Sequence, residues 1–562
     1  MQSKPENNHL LIQGKICRIL PAALFLLLSL VLLAAVLPPA PVWITDNGNK
    51  YMITRNLAEN GTLNFEQIPP ELFPKGGFHF QHLPSKGILS FHSWVLPLLS
   101  VPLYHAGGDQ ALPLLPLLAT LGVLWLLSTR KRNHLAAWGI LLTTPVWLYS
   151  LMLWEMTLSI FFVLAGFFCG FKKRFFAAGL LLGAGIWFRE ELYLLGTITG
   201  LLLLCRKEWK PAIHLAAGAL CAVLPLWVLN FRFYGHILGL HGATYAVNNR
   251  DIPFSAVAEL KGIAFNFIQH LIRFDTLPVH SLTLALAATA LLLIPGAVRN
   301  NKFKLAGIFS FILIEIILLY GLYRYSSNPL FTSGVTMGLF VSLPLAAGYF
   351  LNWRALCTDR NAALRLTAQA VGIYILLVPF MVTRFDIGLT WGARHYMCIM
   401  PLLLILSFRG FARMNAAPAI KRTIVPVLFT LGMIMQFWSF RVLAETSEKS
   451  DNFARMLARY EEKTVVTDVF FLPEQSPRIF FEKRCLEAAT PEQTELLLKY
   501  CREQNSDSFL LIMSKQFRRL DNDSLKRLFQ EFTVTAPPEK IAVAPGMELF
   551  IARCRRVHTA GK

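Results

Sequence analysis

The chain has 562 residues, of which 54% are hydrophobic and only 16% are charged, and its formal net charge is +20. Soluble domains carry roughly 25% charged residues, so this composition excludes an ordinary water-soluble enzyme and predicts a polytopic membrane protein. The segment 445–562 holds 19 Lys and Arg against 18 Asp and Glu, so the basic excess belongs to the apolar remainder. Short basic loops between apolar runs are typical of the cytoplasmic side of a membrane protein, and nucleic acid is therefore not expected as a partner.

Fourteen apolar runs occur along the chain, and about 20 apolar residues are needed to cross ~30 Å of hydrocarbon. The runs lie near 19–38, 88–104, 111–128, 135–153, 156–170, 175–188, 191–205, 211–231, 278–298, 305–323, 330–351, 367–383, 395–408 and 423–440.

The second run, 88–104, is unusual because it contains Pro97 and Pro102. Proline opens the hydrogen-bond ladder of a helix, and lipid offers no replacement partners. If this run lies at the surface or re-enters, and the N-terminus 1–18 is cytoplasmic, the cytoplasmic loops hold 22 basic and three acidic residues. If the run crosses instead, every one of these loops after the first moves outside. The positive-inside rule therefore predicts about 13 transmembrane helices in an all-α transmembrane domain at 19–440.

The first outer loop, 39–110, contains the stretch TDNGNKYMITRNLAENG. Ser, Thr, Asp and Asn are preferred at helix N-caps and glycine after helix C-termini, so the stretch predicts a short surface helix that begins at Thr45 or Asp46 and ends at Gly61. One face of this helix, with Tyr51, is expected to lie on the bilayer. Asp46 can be no more than a helix cap, or it can have a chemical role, and the pattern alone leaves both open.

Charged residues recur at the outer ends of the predicted spans. Lys86 precedes the second run, Glu155 interrupts two spans, Arg189 lies between two others, and Arg394 enters a further one. Headgroup anchoring is an alternative for each arginine, since long basic side chains snorkel to the interface. Glu315 lies within a predicted span, and an intramembrane carboxylate is a site candidate by default.

From residue 445 onward, strand and helix patterns alternate and predict a small extracytoplasmic α/β domain at 445–562. KTVVTDVFF and SFLLIMS are predicted strands, TPEQTELLLKYCREQ (capped by Thr490) and DSLKRLFQEF are predicted helices, and KIAVAPGMELFIARC is a predicted hairpin. The segment carries no nucleophile pattern, so we do not expect it to be catalytic. Two of Cys485, Cys501 and Cys554 could pair outside the cell, but free thiols are the default expectation.

Several stretches, taken in order, resemble the motifs of the C-type (GT-C) glycosyltransferases. They are YMITRNLAENG in the first outer loop, SKG with LPLLSVPLY, TPVWLYS followed by Glu155, GIWFRE, and WGARHYMCIMPLL. The resemblance covers residues 40–410 and is nearest to the polyprenyl-phosphate-sugar users of the family 39 type, such as protein O-mannosyltransferases and the aminoarabinose transferase of lipid A. It implies thirteen or so spans, surface helices in the first outer loop, and two acids at positions that Asp46 and Glu155 match. Many relatives have Asp-Glu where this chain has Asp46 and Asn47, and Glu155 stands where Asp is usual, so a divalent metal at Asp46 and Glu155 is left open.

The resemblance implies an integral membrane glycosyltransferase that moves a sugar from a polyprenyl-phosphate donor to a lipid, glycan or protein acceptor. The reaction is expected on the outer face of a bacterial inner membrane. Asp46 is expected to be the general base, and Glu155 to orient the acceptor or hold a divalent ion. Cations are expected to bind the donor phosphate, because an arginine fork matches phosphate geometry; the candidates are Lys50, Lys86, Arg189 and Arg394.

A transporter or flippase of lipid-linked sugars is the alternative function. Many spans and intramembrane charges suit a transporter as well as a transferase. Transporters often show internal repeats and ionisable groups in mid-span, whereas this sequence shows no repeat and few such groups. The sequence therefore favours the transferase.

Overall fold

In the computed structural model of the chain, the described residues are 20–31, 45–73, 80–240, 338–381 and 393–557, with short gaps inside these ranges, and the isolated positions 271, 305 and 312. The predicted span at 278–298, and the span at 305–323 apart from residues 305 and 312, lie outside the described residues, as does Glu315.

The membrane part is built of apolar helices. The helices before residue 241 are α1 (Leu20–Val31), α2 (Thr45–Asn60), α3 (Val95–Gly107), α4 (Leu114–Ser128), α5 (His134–Thr143), α6 (Val146–Ser150), α7 (Met156–Phe171), α8 (Phe175–Ile186), α9 (Leu192–Cys205) and α10 (Trp209–Tyr234). Those after residue 337 are α11 (Leu339–Ser342), α12 (Ala347–Phe350), α13 (Trp353–Cys357), α14 (Ala362–Met381), α15 (Met400–Arg413) and α16 (Pro418–Ala458), with 3-10 turns at Gly108–Ala111, Pro344–Ala346 and Arg394–Ile399.

The chain is a mostly helical, polytopic integral membrane protein. Within the described residues, four helices are long and apolar enough to cross a membrane, or five if the bent pair α3 and α4 counts as one span. Five further apolar helices have 10–17 residues, and the predicted run at 135–153 is divided into α5 and α6 at Pro145, as expected of a residue that breaks a helix. The figure of thirteen spans stays a prediction. Helix α16 has 41 residues and is about 62 Å long at 1.5 Å per residue, so it extends from the membrane part into the C-terminal segment.

The C-terminal segment forms a mixed sheet with helices. In chain order its elements are β3 (Thr464–Thr467), α17 (Leu472–Gln475), α18 (Pro477–Glu482), β4 (Arg484–Glu487), α19 (Pro491–Glu503), β5 (Ser508–Ser514), α20 (Asn522–Glu531), β6 (Phe532–Val534), β7 (Glu539–Ala544) and β8 (Met547–Arg556). The order is β4-β3-β5-β8-β6, with β7 also paired to β8; β3 is parallel to β4 and β5, and the pairs with β8 are antiparallel. Thr490 caps α19 by accepting a hydrogen bond from the Gln493 amide, as the sequence predicts. We call residues 464–556 the C-terminal unit.

The first outer loop packs into the C-terminal unit rather than onto lipid. Besides α2, this loop forms the hairpin β1 (Phe80–Leu83) and β2 (Gly87–Ser90). Met52 and Ile53 of α2 share one hydrophobic core with Val466 and Leu486 of the sheet. Tyr51 is also buried, at 1% exposure. Tyr51 packs in the core formed by the apolar helices, whereas Met52 and Ile53 are covered by a sheet about 400 residues away in sequence. The prediction that this face of α2 lies on the bilayer is therefore wrong, because tertiary partners cover it.

The three C-terminal cysteines are buried free thiols. Burial raises the pKa of Cys485 and Cys554 to about 12 and that of Cys501 to about 11. The thiols therefore stay protonated at neutral pH, and a protonated thiol is a poor nucleophile.

Both ends of α3 are connected to the C-terminal unit by polar contacts. Before α3, Ser90 donates a hydrogen bond to Asn49, and the Asn49 amide donates to Glu474 at 3.3 Å. After α3, the Arg478 guanidinium donates to the Asp109 carboxylate at 2.9 and 2.7 Å. The two partners in the C-terminal unit, Glu474 and Arg478, lie four residues apart in sequence, so both ends of α3 are connected to the same part of that unit. The axis of α3 makes an angle of 93° with that of α4. This geometry favours a surface or re-entrant position for 88–104, as the loop charges predict.

We expect a cysteine substituted at the exposed Gln110 to react with a membrane-impermeant maleimide added to intact cells or spheroplasts. The background protein lacks its native cysteines, and Lys172→Cys in the predicted cytoplasmic loop 171–174 is the control, which should react only after permeabilisation. A cysteine at position 110 that also reacts only after permeabilisation would contradict this topology.

Candidate functional site

Four chain segments converge on the first two turns of α2. They are the stretch that precedes α3, the turn between α6 and α7, the turn between α8 and α9, and the 3-10 turn that leads into α15. Each brings charged or polar side chains to one end of an apolar helix. Asp46 and Lys50 of α2 are spaced i,i+4, so they lie on one face about 6 Å apart along the helix axis.

The most buried contact of the site joins Lys50 to Glu155. The ammonium lies 3.2 Å from the carboxylate, and the two side chains are 2% and 8% exposed. The same ammonium lies 4.8 Å from the centroid of the Trp154 ring, which adds a cation–π contact. A charge buried without a partner is strongly destabilising, so each group requires the other.

Arg189 connects Glu155 to Glu191. One guanidinium nitrogen lies 3.4 Å from Glu155, and another makes a short ion pair with Glu191. Burial opposes ionisation of both groups, but their mutual attraction outweighs it. The pKa of Glu191 is therefore held below its usual range, and the pKa of Arg189 is raised above its usual value.

His395 joins Glu191 to Arg394. Its Nδ1 lies 2.7 Å from a Glu191 oxygen, and its Nε2 accepts a hydrogen bond from the Arg394 Nε at 3.2 Å. Because an arginine nitrogen can only donate, this contact leaves Nδ1 as the position of the imidazole proton, which is donated to Glu191.

Arg394 completes the network at Asp46. The guanidinium lies 3.4 Å from one Asp46 oxygen, and the His92 ring lies 3.9 Å from the other. Asp46, Arg394 and His92 are 15–20% exposed, whereas Lys50 and Glu155 are nearly inaccessible. This edge of the network is therefore the side that a ligand can reach.

The contacts form a closed ring of alternating charge. The ring begins at Asp46 of α2 and returns to the same helix at Lys50, one turn later. In order, its members are Asp46, Arg394, His395, Glu191, Arg189, Glu155 and Lys50. With His395 neutral, three cations balance three carboxylates. A neutral ring binds an incoming phosphate only if one of its cations exchanges its carboxylate for the phosphate.

The ring brings together five of the six residues that the sequence singled out, namely Asp46, Lys50, Glu155, Arg189 and Arg394. Lys86 lies elsewhere: it is exposed, and its ammonium donates to the Arg232 carbonyl at 2.9 Å. Its role as a phosphate ligand stays a prediction.

The sequence analysis assigned no functional role to Glu191, His395 or His92. Glu191 and His395 each stand beside or near an arginine that had been singled out, in WFREE and GARHY. Charged or titratable neighbours of a candidate arginine, at the outer end of a span, are the signal that could have found these two residues. No such signal marks His92, because its distance from Asp46 depends on how α3 is placed.

The ring does not fit a divalent metal held by Asp46 and Glu155. Each of the two carboxylates lies within 3.4 Å of a protein cation, and a metal would have to displace those cations. No group of three or more His, Cys, Asp or Glu suited to a metal occurs among the described residues. We therefore derive no step that uses a metal.

No known family profile and no curated protein matches this chain. Among solved structures, it is similar to the crystal structure of ArnT from Cupriavidus metallidurans bound to undecaprenyl phosphate, with 13% identity and a TM-score of 0.46, over 96% of this chain and 99% of that one. It is also similar to ArnT from Cupriavidus metallidurans in the apo state, with 14% identity and a TM-score of 0.47, over 94% and 97%. The roles given below to the residues of this chain rest on their own contacts.

We expect Glu191→Gln to destabilise the protein at neutral pH by about 1.5–3 kcal/mol, the range for hydrogen bonds to charged groups. Since the folded pKa of Glu191 is lowered, its contribution is complete above the unfolded pKa of about 4.3. The contribution is lost as pH falls towards the folded pKa. The difference in unfolding free energy between wild type and variant, measured in detergent, should therefore shrink on acidification below pH about 4. Glu190→Gln, at the exposed neighbour, is the control and should show a small difference without this trend; a constant or growing difference for Glu191→Gln would contradict the assignment.

Proposed function

We propose that the chain is an integral membrane glycosyltransferase that takes a sugar from a polyprenyl-phosphate donor and passes it to an acceptor at the outer face of the membrane. The observation that carries the proposal is the charge ring. It holds a carboxylate and an arginine side by side at its accessible edge, at the outer ends of apolar helices where the phosphate of a lipid-linked sugar lies. The undecaprenyl phosphate of the structure named above is a ligand of that protein; for this chain the donor class is inferred from the ring and from the sequence motifs.

Arg394 is the cation best placed to bind the donor phosphate. It is the most accessible cation of the ring, and its present partners are Asp46 and His395. A guanidinium binds phosphate oxygens through two parallel hydrogen bonds. When the phosphate draws Arg394 away, Asp46 loses a cation that stabilises its charge and becomes a stronger base. Donor binding would therefore activate the base.

Asp46 then acts on the acceptor. Its carboxylate takes the proton of the acceptor hydroxyl or amine while the acceptor atom forms a bond to the anomeric carbon of the sugar. The bond between that carbon and the phosphate oxygen breaks, and its electron pair leaves with the polyprenyl phosphate. The phosphate gains negative charge in this step, which Arg394 stabilises, with Arg189 further inside the ring. Lys50 and Glu155 hold the helix that carries Asp46.

We expect Asp46→Asn to lower the rate of sugar transfer by roughly 10²–10⁴, the usual loss when a general base is removed. Asp46 lies in the first turn of α2, at the accessible edge of the ring, and partly exposed ion pairs contribute little to stability, so expression and melting temperature should remain near wild type. The assay uses purified protein with a panel of polyprenyl-phosphate sugars and candidate acceptors, and it measures released polyprenyl phosphate. Glu59→Gln, the same chemical change on the last turn of α2, is the matched control and should keep normal turnover.

Two results would count against the proposal. Normal turnover by Asp46→Asn would remove Asp46 from the mechanism. Movement of the lipid-linked sugar across a proteoliposome membrane without release of polyprenyl phosphate would show the transporter or flippase instead.

A further inference from the structure

The helix that carries the proposed base is in direct backbone contact with the C-terminal unit. Gly48 lies between Asp46 and Lys50 on α2, and a Cβ atom at this position would lie 1.6 Å from the Glu474 carbonyl oxygen. No side chain fits in that space, because the obstacle is the backbone of α17 rather than a flexible side chain. Glycine is therefore required here for close approach, which is a recurrent use of this residue.

A chain of hydrogen bonds continues from this contact towards the base. The Asn49 amide donates to Glu474 at 3.3 Å, and the Ser90 hydroxyl donates to the Asn49 oxygen. The same Ser90 oxygen accepts from the His92 backbone amide at 3.1 Å. The His92 ring in turn lies 3.9 Å from Asp46. A residue of the C-terminal unit thus helps to fix both α2 and the histidine beside the base.

Further contacts hold the two parts together away from the base. The Phe480 ring of α18 lies 6.0 Å from the Phe65 ring and 5.7 Å from the Phe73 ring of the first outer loop. The Arg478–Asp109 ion pair described above lies beside these contacts. The attachment at Gly48 is therefore one point of a wider docking surface, and a change at Gly48 alone should not release the C-terminal unit.

We propose that the C-terminal unit is a positioning element for catalysis, and that Gly48 and Glu474 set the position of Asp46 and Lys50. This inference rests on the proposed function. Asp46 and Lys50 lie two residues on either side of Gly48, so a shift of α2 at this contact moves both ends of the charge ring at once. A misplacement of about 1 Å in a catalytic group can lower the rate about 10²-fold. The C-terminal unit thus acts through the helix that it fixes and takes no part in bond making.

The first test compares three glycine-to-alanine variants of the full-length protein. Gly48→Ala should lower kcat by about 10²-fold and leave the donor KM near or below the wild-type value, because Arg394 does not belong to α2 and a displaced Asp46 competes less for it. It should also speed hydrogen exchange of the amides in α2. Gly179→Ala is the control for tight packing, since its Cβ would meet the Leu215 carbonyl at 1.9 Å between α8 and α10; it should lower thermal stability without the exchange increase in α2. Gly196→Ala, with open space around its Cβ, should be neutral.

The second test uses Glu474, in case Gly48→Ala fails to fold. Glu474→Gln keeps an oxygen that accepts from Asn49 and should retain most of the wild-type kcat. Glu474→Ala removes that acceptor and should lower kcat and increase exchange in α2, with the donor KM again near or below the wild-type value. Rescue by Gln but not by Ala separates positioning from simple loss of stability.

The outcomes distinguish this inference from the proposed function. If wild-type protein releases no polyprenyl phosphate from any donor, the proposed function fails, and hydrogen exchange in α2 still tests whether the C-terminal unit fixes this helix. Normal kcat with normal α2 exchange in both Gly48→Ala and Glu474→Ala would overturn the positioning role. So would an effect of Gly179→Ala on kcat and α2 exchange as large as that of Gly48→Ala.

Discussion

The structure depends on the burial of the Lys50–Glu155 ion pair. Both side chains are almost inaccessible to solvent, and breaking such a pair by removing one partner typically costs about 3–5 kcal/mol. The other oxygen of Glu155 pairs with Arg189, and the charge of Arg189 in turn requires Glu191. The series of paired charges ends only at Asp46, one helical turn from Lys50. The loops converge because each buried charge needs the next, and the ring closes because α2 supplies both a cation and a carboxylate.

The ring explains how one site can be stable without a ligand and reactive once the proposed donor is bound. Its inner pair is inaccessible and holds α2, while its outer edge exposes Arg394 and Asp46 to a ligand. The C-terminal unit holds the same helix from the opposite side through Gly48, where backbone meets backbone. Helix α2 is thus fixed between two partners that are far apart in sequence, one made of apolar helices and the other of a mixed sheet. A polar helix at a membrane surface is well placed for chemistry when both of its sides are fixed in this way.

The sequence predicted what depends on local pattern and on charge. The cap at Thr490, the strand at 508–514 and the end of α2 before Gly61 follow from periodicity and capping, and the structure contains each of them. Motif order selected five of the seven ring members. Tertiary contacts could not be predicted: the burial of Met52 and Ile53 depends on a sheet encoded about 400 residues later, and His395 joins the ring only because two turns from different helices meet. Lys86 could not be excluded from the sequence either, because only the structure shows that its ammonium donates to a backbone carbonyl instead of joining the ring.

The most direct test of this account is the affinity of the purified protein for polyprenyl phosphate without a sugar. Arg394→Gln should weaken binding by at least about tenfold, since a hydrogen bond to a charged group contributes about 1.5–3 kcal/mol. Asp46→Asn should bind at least as tightly as wild type, because Arg394 no longer has a competing carboxylate. Arg55→Gln, on the same helix but outside the ring, is the control for a lost arginine. Wild-type affinity in Arg394→Gln, or weakened binding in Asp46→Asn, would contradict the exchange of partners at the open edge of the ring.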